Sequence, residues 1–153
     1  MGAPWRHAGR DRPGAAPLIV REASERDDEA IVALWDACGL TRPWNPPARD
    51  IAFLRRSGHG ALLVAEDEGR VVGSMMVGHD GHRGWIYYLA VAPEARKGGF
   101  GRRLVEEGEA WCRARGVPKV QLMIRQDNAG VRDFYQCLGY EEQPIVLMGK
   151  WLS

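Results

Sequence analysis

Leu89-Ala90-Val91-Ala92-Pro93-Glu94-Ala95-Arg96-Lys97-Gly98-Gly99-Phe100-Gly101 is the stretch that decides the fold. It reads as an apolar strand, a proline-marked turn and a basic glycine loop that opens a helix. Such a loop offers free backbone N–H groups and the positive end of a helix dipole to an anion. The helix that follows, Arg102 to Arg115, puts Leu104, Gly108 and Trp111 on one stripe and charges on the other. Two commoner phosphate loops are excluded. No Gly-x-x-x-x-Gly-Lys-Ser/Thr string occurs. A dinucleotide fingerprint needs a small residue three positions after Gly101, where Leu104 stands. Arg96, Lys97, Arg102 and Arg103 crowd the loop, and cations gathered at a positive helix end favour an anionic partner. The glycines alone also fit a tight turn with no ligand.

The rest of the chain narrows the class. Its 153 residues suffice for one domain with a substantial core. With 21 basic and 20 acidic residues the formal charge is +1, which gives no reason to expect nucleic acid. No apolar run approaches the roughly 20 residues of a membrane helix. Cys38, Cys112 and Cys137 suggest neither a disulfide framework nor a zinc site, so no metal is expected. All three are expected as buried or half-buried thiols of a reducing cytoplasm. Residues 1–17, rich in Gly, Pro, Ala and Arg, lack the apolar centre of a secretory signal and read as a mobile extension. Residues 18–153 read as a single domain.

Outward from the loop, Leu18 to Glu22 starts a strand, and Ser24 caps a helix with Ile31, Leu34, Trp35 and Cys38 at helical spacing. Prolines hold Thr41 to Pro47 out of helix before helix two, Ala48 to Ser57. Ala61 to Glu66 and Arg70 to Gly78 form a hairpin about Glu68-Gly69, and Asp80-Gly81 turns the chain into strand four, Gly84 to Val91. Strand five (Lys119 to Arg125), helix four (Ala129 to Leu138) and two closing strands follow, the last Ile145 to Lys150. One right-handed crossover runs from strand four through helix three to strand five.

Arg96-x-x-Gly99-x-Gly101, preceded by Leu-x-Val-x-Pro, resembles motif A of the GNAT superfamily of acetyl-coenzyme A-dependent N-acyltransferases. Asn128-Ala129-Gly130-Val131-Arg132-Asp133-Phe134-Tyr135-Gln136-Cys137-Leu138-Gly139-Tyr140-Glu141 resembles its motif B. Two motifs in the right order, about thirty residues apart, are far more specific than either alone. The resemblance spans Leu18 to Trp151. Thr41-Arg42-Pro43-Trp44-Asn45 and Gly78 to Gly84 look like a bacterial subgroup, the YpeA type. It implies an α/β (α+β) GNAT fold: a mixed, mostly antiparallel central sheet of about seven strands with four helices, and a V-shaped splay between strands four and five. It also implies that acetyl-CoA binds there and leaves as coenzyme A. The resemblance puts the cofactor's contacts on Leu89, Ala90, Val91, Arg96, Lys97, Gly98, Gly99, Phe100, Gly101, Arg102, Asn128 and Tyr135.

The implied reaction is direct acetyl transfer, in a ternary complex, to a primary amine: a small molecule, a protein N-terminus or a lysine. Tyr135 holds the family's acid position, and a phenol of reference pKa about 10 stays a donor across working pH. Many relatives carry a strand-four glutamate near the position of Trp85. Without it, Glu66 is the candidate base, with Asp80, His79, His82 or a chain of waters as alternatives. Trp44, Asn45, Tyr87 and Tyr88 are the candidate acceptor site, where an aromatic face suits an ammonium group. Trp44 fits a loop-stapling role equally well. The competing reading is a non-catalytic acyl-CoA-binding sensor. The expected setting is cytoplasmic, as monomer or homodimer, with no nucleic acid or membrane partner.

Overall fold

The computed structural model describes residues 18–153, so the expected extension at 1–17 lies outside the described residues. The chain forms two compact units, one ending at Leu122 and the other covering Met123–Ser153.

The first unit is a five-stranded sheet in the order β1-β2-β3-β4-β5. Its strands are β1 (Ile19–Glu22), β2 (Gly60–Asp67), β3 (Arg70–His79), β4 (Gly84–Val91) and β5 (Val120–Leu122). Helices α1 (Asp28–Ala37) and α2 (Pro47–Ser57) lie between β1 and β2, and α3 (Phe100–Arg113) lies between β4 and β5. Strands β1 to β4 are antiparallel neighbours, while β5 lies parallel to β4 across the α3 crossover.

Local sequence explains these elements. Ser24 and Asp27 form a capping box, with the Ser24 amide donating to Asp27 Oδ2 at 2.7 Å. Gly39, at φ +67°, follows the end of α1. Glu68 and Gly69, both at positive φ, make the tight β2–β3 turn. The two faces of β3 divide the core. Met75 and Val77 face α3 at Gly108, which a larger residue would push into Met75. Ser74 faces α1, where its hydroxyl accepts from Trp35 Nε1 at 2.8 Å in a buried contact. Leu104, Gly108 and Trp111 are buried, as the α3 stripe requires. Arg21 joins β1 to β2 by donating to both oxygens of Asp27 (2.8 and 2.9 Å) and to Glu66 (3.2 Å from Nε).

The second unit holds α4 (Ala129–Cys137), capped by Asn128, and an extended run beyond it. No helix among the described residues is long and apolar enough to cross a membrane.

Four expectations are corrected. Among the described residues five strands replace seven: the closing strands are absent there, and Ile145, Val146, Leu147 and Met148 stand exposed. The β pattern of that segment is present, but a strand exists only through ladder bonds to a neighbour. The V-shaped splay is not found either, because β4 and β5 run as parallel neighbours, Gly84 to Ile86 against Val120 to Leu122. Strand five ends at Leu122, short of the expected Arg125, so Tyr87–Val91 has no β5 partner. Cys112 is buried and Cys38 half-buried, but Cys137 is exposed.

Candidate functional site

The glycine loop sits where β4 hands the chain to α3. A single 3-10 turn, Pro93–Ala95, lowers the chain off the strand. Lys97 then takes φ +69° and Gly99 φ +83°. The left-handed conformation is uncommon for a lysine, and such strain gathers at functional sites. Gly99 is the N-cap of α3, has no side chain to cap with, and would meet nothing within 4 Å if it carried a Cβ. The first helical amide with a carbonyl partner is Arg103, bonded to Gly99 O at 3.0 Å. The amides of Gly99, Phe100, Gly101 and Arg102 therefore form the open N-terminus of a 14-residue helix.

The cations are arranged differently from the sequence expectation. Arg102 Nε donates to Glu106 at 3.1 Å, and Arg103 pairs with the buried Glu107 at 2.8 Å. Those charges are offset by glutamates one turn along, so they do not themselves demand an anion. Arg96 folds back, its Nε donating to Val91 O at 3.3 Å and its Nη2 lying 3.8 Å from Cys38 Sγ. Lys97 and Arg102 are exposed. What the loop offers an anion is chiefly its backbone.

Beside the loop, β4 carries a bulge. Ser74 faces Ala90 and Met76 faces Tyr87, so Tyr88 and Leu89 share the single residue Met75 opposite. Tyr88 takes φ +51° there. The extra residue puts Tyr88 on the α1–α2 face together with Tyr87. Its ring stacks on Trp35, centroids 4.1 Å apart and planes within 8°. Its hydroxyl donates to Asp50 Oδ2 at 2.6 Å and accepts from Asn45 Nδ2 at 3.0 Å. Burial and the Asp50 carboxylate raise the Tyr88 pKa above the usual phenol value, so it stays protonated. Tyr87 and Trp44 are exposed, and Trp44 tips the tight turn closed by the Arg42–Asn45 bridge.

The remaining predicted residues stand elsewhere or act otherwise. Glu66 is not brought to β4; it pairs across β2 with Ile19 and Val71 and is held by Arg21. Asp80 shapes the β3–β4 turn, accepting from the amides of His82 (2.9 Å) and Arg83 (2.7 Å) and from Trp85 Nε1 (3.0 Å). Those bonds, the Arg83 amide foremost, hold its pKa well below the usual range and make it a poor base. His79 accepts from the Gly81 amide in the same turn. In the second unit, Asn128 Oδ1 accepts from Val131 N at 3.3 Å. Tyr135 is buried between Phe134 and Tyr140 in edge-on contacts, and burial raises its pKa. A cavity of ≈ 680 Å³ lined by Val32, Ile51, Ala52 and Arg55 draws no residue from β4 or the glycine loop.

The acetyltransferase (GNAT) family model matches residues 26–140. The chain belongs to the GNAT family. An acetyltransferase of Yersinia enterocolitica is 43% identical over 135 residues, 88% of this chain and 96% of that protein. One of Pectobacterium atrosepticum matches with the same identity and coverage. Among solved structures, an aminoglycoside N-acetyltransferase in complex with CoA is 17% identical, with a TM-score of 0.78 over 92% of this chain and 97% of that one. A transcriptional regulator from Bacillus halodurans is 22% identical at TM-score 0.72, over 88% of this chain and 99% of that one. At these identities the structures speak for the fold. The sequence relatives and the family model make this GNAT protein an acetyl-CoA-dependent N-acetyltransferase. Sequence reasoning did not single out Asp50. It sits in the first turn of α2 with no motif around it, and only the bulge at Tyr88 brings a tyrosine hydroxyl to it.

Proposed function

We propose that this GNAT enzyme moves an acetyl group from acetyl-CoA directly to a primary amine, and that the open amides of Gly99 to Arg102 hold the cofactor's pyrophosphate. The observation that carries this reading is the uncapped α3 N-terminus directly after β4, with its glycine N-cap facing open space. Lys97 adds an exposed charge, and Gly98 and Phe100 shape the loop. The Tyr87–Val91 segment, without a β5 partner, suits the pantetheine arm as a strand-like neighbour through Leu89, Ala90 and Val91.

The bulge supplies the electrophilic element of this mechanism. Two residues against one disrupt the ladder there, which suits a main-chain N–H near Leu89 to donate to the thioester oxygen as charge develops on it. The amine lone pair attacks the carbonyl carbon, the carbon–sulfur bond breaks, and sulfur leaves as a thiolate. Tyr135, at the motif B position and protonated, returns a proton to that sulfur, and the amine's proton leaves through water. Asn128 caps α4 and keeps its amide nitrogen for the cofactor. The acceptor side comprises Trp44, Asn45, Tyr87 and Tyr88. The loops Thr41–Asn45 and Gly78–Gly84 support assignment to the YpeA-type subgroup. The free cysteines suit a reducing cytoplasm, where the enzyme would act as a monomer or homodimer on a soluble amine.

A second reading, a non-catalytic acyl-CoA sensor, is favoured by the engagement of Glu66 with Arg21. Thiol release from acetyl-CoA with a panel of amines separates the two. Turnover on any primary amine supports the enzyme; tight binding of acetyl-CoA without turnover on any of them supports the sensor. No binding at millimolar ligand removes both.

A further inference from the structure

We propose that Asp50 is the acceptor-binding carboxylate of this enzyme, and that the acceptor docks on it as an alkylammonium ion lying along Tyr87 and Trp44. The inference rests on the proposed acetyl transfer and names the acceptor side of that site.

Most sheltered carboxylates of the first unit hold a cation, whereas Asp50, and Asp67 at the β2–β3 turn, hold none among the described residues. Asp27 and Glu66 share Arg21, Asp28 takes Arg55, and Glu107 takes Arg103. Asp50 is half-buried yet pairs with no Arg or Lys among the described residues. Its Oδ2 accepts from Tyr88, while no donor among the described residues reaches Oδ1. A partly desolvated carboxylate without a cation is a costly arrangement, and an arriving cation relieves it. Tyr88 is fixed by Trp35 and Asn45, so the carboxylate is aimed and not free to swing. Trp44 and Tyr87, the sequence neighbours of Asn45 and Tyr88, expose aromatic surface, which attracts an ammonium through its faces. Arg42 turns away, donating to the carbonyls of Gly39 (2.8 Å) and Thr41 (2.7 Å). The site belongs to the reaction because Tyr88 is itself a bulge residue, directly before Leu89. A carboxylate needed only to brace α2 against β4 would lower stability when lost but would not discriminate charge on a ligand.

The test is a binding measurement that needs no knowledge of the natural acceptor. Thioethers of coenzyme A bearing ω-aminoalkyl chains of two to five carbons are compared by calorimetry with their uncharged S-alkyl counterparts. The expected result is at least tenfold tighter binding of an aminoalkyl thioether at one or more chain lengths. Asp50→Asn, which is near-isosteric and can still accept from Tyr88, should abolish that preference while binding coenzyme A within about twofold of the wild type. Tyr88→Phe, which loosens the carboxylate, should reduce it. No preference at any length in the wild type, or a preference that survives Asp50→Asn, overturns the inference. Failure of the wild type to bind coenzyme A at all overturns the proposed function beneath it.

Discussion

At residue 99 the left-handed backbone favours glycine, and the proposed phosphate site needs the space above it. The φ of +83° strains any L side chain, while the space above the residue is empty of protein. Gly99→Asn, which tolerates the left-handed region, should therefore fold with little loss. Gly99→Glu should also fold, at a cost of about 1 kcal/mol, but lose coenzyme A affinity by at least about 100-fold, read by calorimetry. Equal affinity in a folded Gly99→Glu protein would remove the loop from the binding site. Tyr135→Phe is the matching test on the chemical side. Steady-state kinetics should show kcat falling by roughly 100-fold with the Kd for acetyl-CoA nearly unchanged; an unaltered kcat would take the phenol out of the mechanism. Gly99 was legible in the sequence because a glycine motif states its backbone need outright. Asp50 was not, because its meaning depends on a tyrosine 38 positions away in sequence, turned toward it by a bulge.

Elements were legible where side-chain periodicity alone sets them. The stripe of α3, the β2–β3 turn and the limits of β4 all follow from local chemistry. The bulge in β4 was not foreseen, since Tyr-Tyr in a strand has no turn residue to announce it. Gly84, the first residue of β4, marks a close approach of elements. A Cβ there would stand 2.7 Å from Cys112 Sγ on α3 and 3.4 Å from Val120 Cγ2 on β5. Gly84→Ala should lower unfolding free energy by about 2 kcal/mol in urea, through overpacking. A neutral result would mean that α3 and β5 can yield there. Strand five and the closing segment were the poorest expectations. Strandedness in Lys119 to Arg125 and Ile145 to Lys150 is a property of pairing, which one sequence does not display.

Across the molecule, one ionic cluster ties the sheet edge to the first helix. Arg21 gives Asp27 two hydrogen bonds and the Ser24 amide gives a third, so the folded Asp27 pKa lies well below the ordinary value. The unfolded carboxylate takes up a proton first, near its reference pKa of about 4. The cluster's stability is thus complete above that pH and is lost as pH falls through the folded pKa. Asp27→Asn should cost about 2 kcal/mol at neutral pH and flatten the acid loss of stability in urea titrations run downward from about pH 5. An unchanged acid limb would locate that sensitivity elsewhere. The charge balance of the whole chain was readable at once, but the assignment of Glu66 to this cluster was not. A carboxylate at a strand end looks the same in sequence whether it faces a substrate or an arginine.

The claim beneath all of this is that main-chain amides at the start of α3 hold the cofactor's phosphates. Backbone NMR during titration with coenzyme A reads those amides directly. The largest proton shifts, downfield, should fall on Gly99, Phe100, Gly101 and Arg102. Saturable binding that leaves these four resonances unmoved would contradict it.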